Sequence, residues 1–294
     1  MDIKSIQTLV SIADHRSFQA AATAMGMSIS NVSLQVQALE KDLGEALFDR
    51  STRPPRLTDT GVELVARSRK LLSLWEELGS SVVGGHKCGM LKIGSVHTAV
   101  AGGVSVALGR LRKRDPGLFL QLHTDLTTQL VQQLQNHRID CAIITELEQP
   151  VIDMHFMPIA REELVVIAHR EAKGNDYREV LQNNAYIRFN RQATLAQLID
   201  AELKQRDIRV DTAMEITTLD AISSLVENGL GVSVVPVDKN LRPLSRGVRT
   251  LPFTGPPIYR TLGLLARNDN PRRHLIDVLF EELQRTYGGK VSRH

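Results

Sequence analysis

Cysteine is scarce: the 294-residue chain has only Cys88 and Cys141, and neither stands at metal-ligand spacing from a second ligand. That usage fits a reducing compartment. Net charge is also small, +3 at pH 7. Global charge therefore cannot identify a nucleic-acid binder, and any basic footprint must be local. No apolar run approaches a membrane span. The opening MDIKSIQTLV lacks the apolar core and small-residue cleavage site of a signal peptide. Together these features lead to the expectation of a cytoplasmic protein with no membrane partner. Catalytic signatures are missing too: there is no GxxxxGK[ST] loop and no GxSxG elbow, His and Cys do not cluster, and the glycines of ENGLGV form no dinucleotide fingerprint. The sequence thus predicts a non-enzyme without cofactor or metal.

What is present begins near the N-terminus. In SFQAAATAMGMSISNVSLQVQAL, residues 17 to 39, Phe18, Ala21, Ala22 and Met25 recur at helical spacing. Gly26 can leave a helix in the left-handed region. Ser28 can cap a second helix whose inner face is Val32, Val36 and Leu39. Small Ala22 allows close approach of the two helices. This spacing predicts a helix-turn-helix, the unit that sets its second helix in the DNA major groove. Ile3, Ile6, Leu9, Val10 and Ala13 form a further helical stripe that can pack beneath it. After Gly44, the anchors Leu47 and Phe48 precede Arg50, Arg53 and Arg56 around Pro54-Pro55. This reads as a β wing carrying three guanidiniums. In isolation it would be a solvated loop; beside a helix-turn-helix, it is expected to contact phosphate.

Residues 58 to 83 predict one long helix. Leu64, Leu71 and Leu78 recur every seven residues, with Ser68, Trp75 and Val82 four residues after each. We read this as a dimerisation seam rather than a helix packing only on its own domain. Gly84-Gly85 closes the helix, and HKCGM reads as a hinge. From Leu91 the pattern changes to alternating strands and helices: LKIGSV, FLQLHT, IDCAIIT, LVVIAH, AYIRF, AMEIT, GVSVVP and RTLGLLAR, ending in the amphipathic PRRHLIDVLFEELQRTY. This order predicts a parallel α/β arrangement in two lobes with a cleft between them. The expected domains are 1–58 for DNA binding, 59–89 for the linker helix and hinge, and 90–294 for effector binding. Lobe 1 takes about 90–160 and 267–294, lobe 2 about 161–266, with crossings near 160 and 266.

In this order of parts, the chain resembles the LysR-type transcriptional regulators, most strongly over residues 2 to 61 and more loosely in LKIGS, RIDCAII and VENGLGVSVVP. The resemblance implies a mixed fold: a winged helix-turn-helix, a linker helix pairing two subunits, and a two-lobed α/β domain like periplasmic binding proteins. It also implies a sequence-specific regulator that senses a metabolite in the cleft. Its partners would be double-stranded DNA, RNA polymerase and further copies of itself, as a homodimer or homotetramer. Many members carry Gln-Pro where this chain has Ile29 and Ser30, and Arg where it has Leu34. An Arg would pair bidentately with guanine. Base reading is therefore expected from Ser30, Asn31, Ser33 and Gln37, with apolar help from Ile29 and Leu34. Ser28 serves as the cap and Gln35 meets a phosphate at the flank. Short hydroxyls and amides disfavour helix interiors, so four in one turn (Ser28, Ser30, Asn31, Ser33) call for more than a solvated face.

In two-lobed α/β domains ligands bind where strands end and helices begin. Ser95, His97 and Thr98 follow the first strand of this region, and Thr127 opens the next helix. Thr145 ends IDCAIIT, and Arg188, Asn190 and Thr194 follow AYI. The resemblance places Thr98, Thr127, Thr145 and Thr194 on the cleft wall. Hydroxyls at helix starts suit a small organic anion, and Arg188 and His97 would add to that preference. Thr98 and Thr127 could equally be plain helix caps, and His97 a solvated histidine. Cys141 sits in an apolar strand and Cys88 in the hinge, a poor redox pair. The alternative function is an α/β binding protein or enzyme whose helix-turn-helix makes only protein contacts.

Overall fold

The computed structural model describes residues 1–81, 89–237, 247–253 and 256–288. They fall into two compact units, one formed mainly by Met1–Gly85, the other by His86–Gln135 and Ile139–His294.

In the first unit, helices α1 (Ile3–His15), α2 (Phe18–Met25) and α3 (Ile29–Leu43) start at caps that the sequence supplies. The carboxylate of Asp2 accepts from Ser5 N at 2.7 Å, Ser17 Oγ from Ala20 N at 3.3 Å, and Ser28 Oγ from Asn31 N at 3.2 Å. Each satisfies one of the amides a helix start leaves unpaired. Gly26 closes α2 at φ +64°, a conformation that costs a Cβ-bearing residue and costs glycine nothing. The apolar stripes then meet in one core of Leu9, Ile12, Ala21, Ala22, Val32, Val36, Leu39, Leu47, Phe48 and Val65. Phe18 stands edge-on to Phe48 with ring centroids 4.9 Å apart. Strands β1 (Phe48–Asp49) and β2 (Arg56–Leu57) pair antiparallel and form the wing.

Helix α4 runs Asp59–Ser81. Its expected seam does not keep to one environment. Leu64 and Val65 pack into the core of their own unit, whereas Leu71, Leu74 and Trp75 are exposed. The first heptad is thus spent on anchoring the helix, and an outward apolar face begins at Leu71. Leu78 and Val82 of the seam, the Gly84-Gly85 stop and most of the hinge, including Cys88, lie outside the residues whose side chains are described. Gly89 and Met90, expected in the hinge, instead open strand β3 (Gly89–Ser95).

The second unit is built on one curled sheet. Besides β3, its strands are β4 (Leu118–Thr124), β5 (Cys141–Thr145), β6 (Met154–His169), β7 (Tyr186–Phe189), β8 (Thr212–Ile216), β9 (Val232–Val237), β10 (Val248–Pro252) and β11 (Tyr259–Arg267). Their order is β4-β3-β5-β11-β6-β9-β7-β8, with β10 beside β6. The sheet is mixed. Parallel pairing holds for β3 with β4 and β5, and for β7 with β8 and β9, but β6 and β11 run antiparallel to their neighbours. These two strands carry the chain between the lobes. Ile159 and Ala160 of β6 belong to the lobe 1 core, and Leu164 onward to the lobe 2 core. Ile258, just before β11, belongs to lobe 2, whereas Leu262, Leu264 and Ala266 on β11 belong to lobe 1. The second crossing therefore lies near Arg260 and not near 266, because the apolar run LGLLA is packing lobe 1.

Helices α5 (His97–Ala99), a π-helical turn Val100–Val104 and α6 (Ser105–Arg114) follow β3. Then come α7 (Thr127–Gln135), α8 (Tyr177–Asn183), α9 (Thr194–Gln205), α10 (Leu219–Glu227) and α11 (Arg273–Thr286). Among the described residues, no helix is long and apolar enough to cross a membrane, and no three ligating side chains group around a metal position.

Candidate nucleic-acid interface and effector cleft

Helix α3 buries Val32, Val36 and Leu39 and turns the opposite side to solvent. Ser28, Ile29, Ser30, Asn31, Leu34 and Gln37 are exposed on it, and Ser33 is half-buried. Ile29 and Leu34 are notable, at 43% and 59% exposure. Large aliphatics on an otherwise polar helix face cost nothing when they meet thymine methyls. Gln35 behaves differently from the expectation. Its side-chain carbonyl accepts the hydroxyl of buried Thr8 from α1, so this end of Gln35 faces the helix pair and not a flanking phosphate.

The wing arginines also separate. Arg50 Nη2 donates to Glu40 Oε2 at 2.8 Å, while Glu40 Oε1 accepts from Leu47 N at 2.8 Å and Phe48 N at 3.3 Å. Glu40 thereby bolts the C-terminal half of α3 to the wing. The sequence reading missed it, since a lone Glu on a helix carries no signal until the wing folds back over it. Arg53 and Arg56 are exposed, and each lacks an ion-pair partner among the described residues. A shallow concavity lined by Gln37, Glu40, Asp49, Arg50 and Thr58 lies between α3 and the wing.

In the second unit a cavity of about 310 Å³ opens between the lobes. Of the eight expected contacts, six line it: His97, Thr98, Thr127, Thr145, Asn190 and Thr194. Thr127 and Thr194 are the first residues of α7 and α9, so two helix N-termini meet the cavity. Two expected residues do not line it. Ser95 is fully buried, with its hydroxyl 3.2 Å from the carbonyl of Val96. Arg188 forms an ion pair with Asp200 of α9, which fixes its guanidinium within lobe 2. The sequence reading missed Asp125, Phe189 and Thr217, which complete the wall with Val96, Leu126, Ala193 and Leu195. Asp125 and Thr217 follow strands directly, the same signal that marked Thr98, and were findable.

Behind the wall stands Arg260, 1% exposed. Its Nε donates to Glu162, directly opposite it on β6, and its Nη1 donates to Thr98 Oγ1 at 2.8 Å. Burying an ion pair seldom stabilises a fold over apolar residues of the same size. Here it sits where both crossing strands pass between the lobes. Cys141 is inert by contrast. Burial, reinforced by the charge of Asp140, pushes its thiol well above the usual range, so no reactive thiolate forms.

Comparison with known proteins settles what this architecture is. Residues 3–62 match the family model for the bacterial regulatory helix-turn-helix protein, lysR family, and residues 84–288 match the LysR substrate binding domain. The chain belongs to the LysR family. A "Probable RuBisCO transcriptional regulator" of a Nostoc species is 31% identical over 92% of this chain and 83% of the relative. One from Porphyra purpurea is 29% identical over 92% and 89%. Among solved structures, a full-length OxyR from Pseudomonas aeruginosa shares the fold at a TM-score of 0.75, with 24% identity over 97% of this chain and 95% of that one. Full-length CbnR in complex with its target DNA matches at a TM-score of 0.64 and 18% identity, covering 97% and 100%. This LysR-type chain is a DNA-binding transcriptional regulator with a ligand-binding effector domain. Double-stranded DNA and a small-molecule effector are its partners, and regulators of this family are oligomeric.

Proposed function

We propose that this regulator reads its operator with the exposed face of α3 and holds the duplex backbone with the wing, acting in the cytoplasm and without enzymatic activity. Ser30, Asn31, Ser33 and Gln37 meet base edges, Ile29 and Leu34 meet thymine methyls, Ser28 caps the helix against the groove, and Arg53 and Arg56 bind phosphates. Arg50 supports the wing through Glu40 and meets phosphate with its remaining N–H groups. The observation that carries this reading is the pair of large aliphatics, Ile29 and Leu34, left in solvent in the first two turns of α3, where their solvent-facing neighbours are hydroxyls and amides. Two copies pair through the outward face of α4 from Leu71 onward and present two such helices to paired half-sites. Residues 1–58 form the DNA-binding part, 59–88 the linker helix and hinge, and 89–294 the effector part.

The cleft takes a small organic acid, whose binding alters the contacts of the regulator with DNA and RNA polymerase. Five threonine hydroxyls, the Asn190 amide and the starts of α7 and α9 supply donors around a space of about 310 Å³. Footprinting of the full-length protein on the DNA flanking its own gene tests the first part. Two protected half-sites about one or more helical turns apart are expected. No protection above the level of random DNA, or an unaltered pattern with Asn31→Ala and Leu34→Ala, would refute base reading by α3.

A further inference from the structure

The charges around the cleft do not balance for a simple anion. Arg188 and Arg191, either side of Asn190, and Arg260, bonded to Thr98, are each held by a carboxylate: Asp200, Glu215 and Glu162. Among the described residues that line the cavity there is no Lys or Arg, and there is one carboxylate, Asp125. A ligand carrying only negative charge would meet the Asp125 carboxylate and the His97 imidazole on this wall, but no guanidinium or ammonium among its described lining residues. The donors and the acceptor are also separately fixed. Thr98 Oγ1 already accepts from Arg260, so its proton is left to donate, and it can donate into the cavity. Asp125 offers its carboxylate. Its oxygens accept from Leu126 N at 2.9 Å and Gln133 Nε2 at 3.1 Å, and His123 Nε2 stands 3.6 Å from Oδ2, beyond hydrogen-bond distance, so about two of its four acceptor positions stay open.

Resting on the reading of this cleft as the effector site, we infer that its ligand is a zwitterion of the α-amino acid class. Its carboxylate is received by the hydroxyls of Thr98, Thr127 and Thr194, and its ammonium by Asp125. The volume admits about ten water-sized groups, the scale of a small amino acid. Val96, Leu126, Phe189, Ala193 and Leu195 provide an apolar wall for its side chain.

Thermal unfolding of the full chain with each standard amino acid, its deaminated acid and its decarboxylated amine tests this directly. At least one amino acid should raise Tm by more than about 2 °C at saturating concentration, and its two truncated counterparts should not. Asp125→Asn keeps an acceptor for Leu126 N and should weaken that amino acid about tenfold or more. The inference is overturned if no standard amino acid raises Tm, if a deaminated acid is as effective as its parent, or if Asp125→Asn binds as tightly as the wild type. Stabilisation by deaminated acids that Thr98→Val abolishes would overturn only the zwitterion and leave the cleft as an acid-binding site.

Discussion

Replacing Arg260 by Met is the most demanding perturbation of the effector domain. Arg260 and Glu162 face each other across β11 and β6 with side chains 1% and 9% exposed, and Arg260 also donates to Thr98 at 2.8 Å. Removing the guanidinium leaves Glu162 buried without its counter-ion, at a cost of about 3–5 kcal/mol. The lost bond to Thr98 adds about 1 kcal/mol at most, because that hydroxyl borders the cavity and can rehydrate. For a folding unit of this size, 1 kcal/mol shifts Tm by about 2–4 °C, so Arg260→Met should lower the transition of the second unit by roughly 6–24 °C. The double variant Glu162→Met with Arg260→Met removes both charges and fills the space with apolar atoms. It should recover most of the loss or exceed the wild type. Calorimetry on the full chain is the suitable assay, because the single tryptophan, Trp75, lies on α4 in the other unit and would not report the event. A single variant within about 1 kcal/mol of wild type, or a double variant as unstable as the single, would show that the pair is not the buried, mutually compensating unit described above.

Arg53→Ala should weaken binding to every DNA sequence alike and reduce the slope of log K against log salt by about one; an unchanged slope in a salt titration would exclude a phosphate contact. Gly61→Ala places a Cβ 2.3 Å from the carbonyl oxygen of Leu47, a backbone atom that cannot swing aside. Circular dichroism should show the first unit destabilised by about 1–3 kcal/mol, and a neutral effect would mean the α4 start is looser than it stands here. In the cleft, Thr98→Val should abolish ligand-induced stabilisation while Arg188→Gln, which only frees Asp200, should leave it intact; the reverse pattern would reinstate Arg188 as the ligand contact. In a Cys88→Ser background, Cys141 should resist alkylation at mildly alkaline pH until the chain is denatured, since burial holds its thiol protonated. Labelling of the native protein would contradict that.

Local structure in this chain is legible because its signals are short-range. Ser17 and Ser28 cap the helices they precede, Gly26 takes the left-handed turn, and the stripe Val32, Val36, Leu39 faces inward, all from spacing alone. Strands β3, β4, β5 and β7 fall within a few residues of their apolar runs. Helix α8, strand β10 and the long extent of β6 are not legible in the same way. Tyr177, Val180 and Leu181 make too short a pattern, and β10 exists as a strand through its pairing with β6. The heptad in α4 shows the limit of periodicity: Leu64 and Leu71 share a spacing, yet one packs inside its own unit and the other stands in solvent.

The sequence by itself determined the two-part architecture, the helix-turn-helix with its wing, and six of the thirteen residues that line the cleft. These depend on which side chains recur at which interval, and that survives without a partner segment. Only the tertiary structure decided how the charges are spent. Arg188 meets Asp200, Arg50 meets Glu40, Arg260 meets Glu162, and Asp125 reaches the cavity with no Lys or Arg among the lining residues and only the His123 imidazole, 3.6 Å away, beside it. Ion pairs form between residues far apart in the chain once packing removes water from around them, and no interval along the sequence encodes that encounter.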